Sequence, residues 1–101
     1  MVDKPANTIW TFLTNHGHVL ICIASDPDLR LRDLAERVGI TERAVQRIVT
    51  DLEEAGYIER VKEGRRNHYK IISSMPLRHP VEEHCRASDL IKMVTAAKRR
   101  A

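Results

Sequence analysis

The sequence predicts a mainly α domain with one small β-hairpin, and three observations carry that prediction. Apolar residues recur at helical spacing through residues 15–55. Two of the helical stretches are joined by a tight Gly39-Ile40-Thr41 turn. Beyond Gly56 the pattern shifts to β-branched and aromatic residues on either side of Glu63-Gly64-Arg65-Arg66, the composition of a hairpin. The 101 residues are one domain's worth of chain, and 43% hydrophobic with 31% charged residues is ordinary for a globular protein. A chain of this size builds one core and has little room for a large enclosed cavity.

Each element has its own signal. Thr14 is the expected N-cap of a first helix over 15–25, whose Val19, Leu20, Ile23 and Ala24 form a wide apolar face. Asp26-Pro27-Asp28 ends it, because the residue before a proline avoids helix. Leu29-Arg30-Leu31 is short enough only for an edge strand or an extended link. A second helix over 32–38 buries Leu34, Ala35 and Val38, with Gly39 just past its end. Thr41 then caps a third helix over about 42–55, with Val45, Ile48, Val49, Leu52 and Ala55 inward and Gly56 closing it. Strands are expected over 57–62 and 67–72, Tyr69 and Ile71 facing the core and His68 and Lys70 facing out. Ile58 and Val61 differ in parity, which predicts a bulge or an early strand end there.

The division of the chain follows. Residues 1–76 read as a helix-turn-helix unit with its N-terminal segment, and residues 77–101 as a C-terminal helix of the same domain. The proline-containing connector 73–80 is too short for a flexible tether. Val81, Leu90, Ile91, Val94 and Ala97 give the tail an apolar stripe over about 81–98. The domain has little core left to bury it, so a twofold partner is the natural acceptor, with Trp10, Phe12 and Leu13 joining the same interface. Lys98, Arg99 and Arg100 read as a solvated end.

Charge narrows the class of partner. Seventeen Lys and Arg against fourteen Asp and Glu make a net +3, which permits an anionic partner without requiring one. Between Arg60 and Lys70 five basic residues (Arg60, Lys62, Arg65, Arg66, Lys70) face one acidic residue, Glu63. The excess positive charge is therefore concentrated in the hairpin. On the third helix, the buried stripe leaves Arg43, Gln46, Arg47, Thr50 and Glu54 outward; basic and amide groups occupy the first two turns and Asp51, Glu53 and Glu54 the last. Arginine pairs bidentately with guanine and glutamine with adenine, so the N-terminal half has the chemistry of a helix that reads the major groove of duplex DNA. A basic hairpin beside it straddles the backbone and reaches the minor groove. The expected contacts are Thr41, Glu42, Arg43, Gln46, Arg47 and Thr50 on the helix, and Lys62, Arg65, Arg66, Asn67 and His68 on the hairpin. Four aromatics (Trp10, Phe12, Tyr57, Tyr69) are too few for a platform that stacks single-stranded bases.

Residues 31–58, with small Ala35, Gly39 in the turn, and apolar Ile40, Val45 and Ile48, resemble the winged helix-turn-helix transcriptional regulators of the MarR and ArsR kind. The resemblance continues through Glu63-Gly64-Arg65-Arg66-Asn67-His68-Tyr69, the wing, and covers roughly residues 13–72. It implies a cytoplasmic, sequence-specific DNA-binding regulator, usually a homodimer, with the third helix in the major groove. Two alternatives stand beside it: a winged helix used only for docking proteins, and a repressor that senses an unidentified ligand or redox signal.

Other chemistry has weaker support. No phosphate-binding glycine loop, paired carboxylates in an apolar setting or nucleophile elbow occurs, so the chain does not read as an enzyme. Cys22, His79, His84 and Cys85 invite a metal reading because ArsR relatives sense metals. The cysteine pair of that kind is missing from the second and third helices, however, and adjacent His84 and Cys85 point apart on a helix. No metal or other cofactor is expected. Cys22 reads as a small core residue, and His16 and His18 as surface or cap residues. No apolar run approaches the length of a membrane helix and no secretory leader is apparent, so the expected compartment is the cytoplasm, without membrane partners.

Overall fold

The computed structural model describes residues 10–100, with side chains through residue 97. Six elements follow in order: α1 (Asn15–Ser25), α2 (Leu31–Val38), α3 (Glu42–Glu54), β1 (Ile58–Glu63), β2 (Arg66–Ile71) and α4 (Ala87–Arg100). The solvated end expected at Lys98, Arg99 and Arg100 lies outside the described side chains.

The helices start and stop for the reasons their sequences supply. The Thr14 hydroxyl accepts a hydrogen bond from the Gly17 amide at 3.3 Å, and the Thr41 hydroxyl one from Ala44 at 3.1 Å. Each satisfies an amide that an α-helix leaves without an internal partner. Gly39 ends α2 in the left-handed region at φ 85°, where a Cβ would be strained. Val19, Leu20 and Ile23 of α1 meet Leu34 and Ala35 of α2 and Val45, Ile48, Val49 and Leu52 of α3 in one core. Tyr57, Ile58, Tyr69 and Ala87 complete it from the hairpin and α4. The three helices are thus fixed by a shared apolar centre, which leaves one face of α3 directed outward.

The strands run over 58–63 and 66–71 where 57–62 and 67–72 are expected, and four differences from the sequence expectation have a clear physical reason. First, α2 begins at Leu31, so only Leu29 and Arg30 are extended. The Asp33 carboxylate accepts from the Arg30 backbone amide and from its guanidinium, both at 3.2 Å, and this cap draws Leu31 into the helix. Second, β1 and β2 pair in unbroken antiparallel register from Ile58↔Ile71 to Glu63↔Arg66, with no bulge at Val61. The parity conflict is resolved by leaving Val61 exposed on the outer face opposite His68. Third, Tyr57 precedes the strand; its amide bonds the Leu52 carbonyl at 2.9 Å and its hydroxyl donates to the Pro76 carbonyl. Fourth, α4 begins at Ala87 and not near Val81, which lies in a turn and is 76% exposed. The Asp89 carboxylate caps the Arg86 amide at 2.8 Å, and the Pro76↔Arg86 bridge makes residues 77–85 loop out before the helix can start.

Candidate nucleic-acid interface

The first two turns of α3 present Arg43, Gln46 and Arg47, all exposed, above buried Val45, Ile48 and Val49. Thr41 and Glu42 are exposed at the same end, where the helix dipole adds positive potential. Thr50 is only half-exposed, and its hydroxyl donates back to the Gln46 carbonyl at 2.9 Å. Its proton is therefore engaged and only its oxygen lone pairs remain for an outside group.

The acidic end of α3 does structural work. Asp51 accepts from His16 of α1 at 2.8 Å, and Glu53 accepts from Arg60 of β1 at 2.8 Å. Both pairs are partly exposed, so each holds geometry more than it adds stability. Their effect is to place α3 at a fixed angle to α1 and to the hairpin.

The hairpin turns at Gly64 and Arg65 between the Glu63↔Arg66 pair. Gly64 sits at φ 63° in the position that a type II′ turn reserves for glycine. Lys62, Arg65 and Asn67 are exposed at this end, and among the described residues Lys62 and Arg65 form no ion pair. Arg66 and His68 are placed differently. The His68 Nδ1 lies 2.7 Å from the Asp28 carboxylate, and the Arg66 guanidinium donates to the Asp28 carbonyl at 3.3 Å. Next along β2 the Tyr69 amide donates to the Pro27 carbonyl at 3.2 Å. The α1–α2 link thus runs along the free edge of β2. The hydrogen bond to Asp28 raises the pKa of His68 above its usual 6.5, outweighing the opposite effect of desolvation. Burial raises that of the Tyr69 hydroxyl, with the Arg60 charge opposing it.

The structure therefore brings Thr41, Glu42, Arg43, Gln46 and Arg47 together at one helix end and Lys62, Arg65 and Asn67 at one hairpin end. It turns Arg66 and His68 toward the α1–α2 link. The partner of that link, Asp28, and the fastening residues Glu53 and Arg60 have no contact role in the sequence reading. Asp28 lies 40 residues from His68, and no local spacing announces such a pair.

The apolar candidates are split. Phe12, Leu13 and Leu90 line one open groove of about 650 Å³, together with Leu20, Leu52, Tyr57 and Arg78. Phe12 is 92% exposed, and its ring meets Trp10 edge-on with centroids 4.9 Å apart. Ile91 and Val94 are half-buried and Ala97 is exposed farther along α4. Cys22 and Cys85 are half-buried, and no group of three His, Cys, Asp or Glu among the described residues could hold a metal ion. No helix among those residues is long and apolar enough to cross a membrane.

Residues 13–59 match the family model of winged helix-turn-helix DNA-binding domains. With the β1–β2 hairpin that follows, the chain has the fold of a winged helix-turn-helix. The winged helix also resembles solved MarR-type regulators in fold. MepR of Staphylococcus aureus, a regulator of the multidrug efflux pump MepA, superposes with a TM-score of 0.57 at 20% identity, over 82% of this chain and 55% of its own. A MarR-family protein of Mycobacterium tuberculosis, solved with salicylic acid, gives 0.54 at 23% identity, over 87% and 59%. The zinc-responsive MarR-family protein ZitR of Lactococcus lactis gives 0.55 at 14% identity, over 99% and 62%. The chain spans less than two thirds of the length of each of these winged-helix proteins. Comparison with curated protein sequences gives no match.

Proposed function

We propose that the chain is a sequence-specific, double-stranded DNA-binding transcription regulator that acts as a homodimer in the cytoplasm. The observation that carries this reading is the outward row of Arg43, Gln46 and Arg47 on a helix whose opposite face is locked in the core, beside a cationic hairpin end. In the proposed complex the first turns of α3 enter the major groove. Arg43, Gln46 and Arg47 meet base edges there, and Thr41 and Glu42 lie at the helix entry. Thr50 sits at the margin as an acceptor. Lys62 and Arg65, with Asn67, meet the backbone and minor groove. Arg66 and His68 contribute mainly by holding the wing.

Residues 1–76 would form the DNA-binding unit, and residues 77–101 the dimerisation element. In the dimer Trp10, Phe12 and Leu13 would pack with Leu90, Ile91, Val94 and Ala97 against their twofold mates. The exposure of Trp10, Phe12 and Met93 supports a partner on that side. Selection of bound duplexes from a random pool tests all of this together. Enrichment of a twofold-symmetric site with half-sites about 34–36 Å apart is expected; a pool that stays unenriched, or one without symmetry, overturns it.

The groove favours a second layer, binding of a small effector. Its lining combines apolar Phe12, Leu13, Leu20, Leu52, Leu77 and Leu90 with the cation Arg78, with His16 and with the carboxylates Asp51, Glu54 and Glu82, and one MarR-type structure of similar fold is a complex with salicylic acid. Salicylate is the first probe. Shifted amide signals at Leu20, Tyr57 and Arg78 are expected in an NMR titration, and an unchanged spectrum at millimolar ligand rejects the effector reading.

A further inference from the structure

The wing is fastened on two sides, and one of the two fastenings contains a group that titrates near neutrality. On the α3 side, Arg60 is held by Glu53 at 2.8 Å. On the opposite side, β2 is joined to the α1–α2 link by the Tyr69–Pro27 backbone bond, by Arg66 on the Asp28 carbonyl, and by His68 on the Asp28 carboxylate. Next to this seam lies an open cleft of about 550 Å³ lined by Asp26, Asp28, Leu29, Arg30, Asp33 and Arg66.

We propose that His68 is a proton-controlled latch that docks the wing onto the α1–α2 link through Asp28. When protonated, the imidazolium makes a charge-assisted hydrogen bond to the carboxylate. On losing the proton it keeps at most a hydrogen bond from a neutral ring N–H and loses the ion-pair attraction, so the wing then depends more on Arg66 and the Tyr69 amide on that side. The charged surroundings are mixed. The link supplies Asp26, Asp28 and Arg30, and α2 supplies Asp33. On β1, Glu59 and Glu63 flank Val61, the residue opposite His68, while β2 itself carries Arg66 and Lys70. The carboxylates favour the imidazolium and the three cations oppose it, and Asp28 is the group in direct contact. The raised pKa of His68 agrees with that balance. A group whose pKa is higher in the docked state supports docking fully below its ordinary value, 6.5, and loses that support as pH rises through the raised value.

The consequence for binding rests on the DNA reading above; the latch itself does not. Amide exchange at Tyr69 in the free protein reports docking, because its hydrogen bond to Pro27 crosses the seam. Measured between about pH 5 and 8 and corrected for intrinsic exchange, wild-type protection should fall as pH rises, with the midpoint of the His68 ring signals. Each pH unit separating the docked and released midpoints appears as about a tenfold change in protection. In H68Q the profile should be flat, and D28N should lower the His68 midpoint. A His68 midpoint unmoved by D28N, or an identical profile in H68Q, overturns the latch. Duplex affinity of the wild type should weaken relative to H68Q over the same range. Exchange that responds while this affinity ratio stays constant overturns the coupling to DNA and leaves the latch standing. Absence of any duplex binding overturns the DNA reading instead.

Discussion

At the scale of the residue, the same side-chain type carries different duties according to what lies within reach. Arg47 is exposed on α3 with open space for a base edge, Arg60 is clasped by Glu53, and Arg66 is turned onto Asp28. Arg47→Ala is therefore expected to weaken duplex binding by about 1–3 kcal/mol and to relax preference at one base position. Arg65→Ala should weaken all sequences alike and reduce the slope of log affinity against log salt by about 1; competition assays against single-base variants separate the two patterns. Arg60→Ala should loosen the wing without changing which base is preferred. Asp33 offers a pH test of the fold. Its bond from the Arg30 backbone, and then its bond from the Arg30 side chain, hold its carboxyl below the usual range. The cap of α2 is thus present above the ordinary carboxylate pKa and is lost as pH falls through the lowered one. Amide exchange at Arg30 should rise there, and an unchanged rate in acid would refute the cap.

At the scale of the element, termini set by a Thr or Gly cap are legible in the sequence, the Arg30–Asp33 cap moves the start of α2 by one residue, and a distant partner moves the start of α4 much farther. Thr14, Thr41 and Gly39 act within three or four residues of themselves, so α1 and α3 begin where the sequence says they should. The start of α4 depends on a bridge between Pro76 and Arg86, and that bridge moves it six residues beyond Val81. Thr41→Ala should cost about 1 kcal/mol by removing the N-cap. Gly39→Ala should cost about 1–2 kcal/mol from the left-handed backbone alone, since nothing lies within 4 Å of the added Cβ. Urea unfolding measures both. An alanine at position 39 that is neutral would mean the turn can relax to another conformation.

At the scale of the whole molecule, the proposed complex separates anchoring from reading. A core shared by three helices sets α3 outward, its acidic end is tied to α1 and β1, and its basic end is left open. The net charge of the chain, +3, is small, so in the proposed function affinity for DNA must come from local placement. Salt titration should give a steep, linear loss of log affinity with log salt, and a flat response would contradict phosphate anchoring. Sedimentation should show twice the mass of one chain, falling toward a monomer in a Leu90→Asp, Val94→Asp double variant. A monomeric wild type at micromolar concentration would remove the twofold geometry from the proposal.

The sequence alone determined the helical periods, the Gly39-Ile40-Thr41 turn, the hairpin, and the polar row at 43, 46 and 47. Each is a pattern within a few residues, governed by backbone and packing preferences that act locally. Only the tertiary structure decided that Asp28 lies beneath His68 and Arg66, that Glu53 clasps Arg60, and that Phe12 and Leu90 share a groove. Those pairs are joined through folded backbone that brings distant charges and apolar faces together, and a linear pattern carries charge and polarity but not distance.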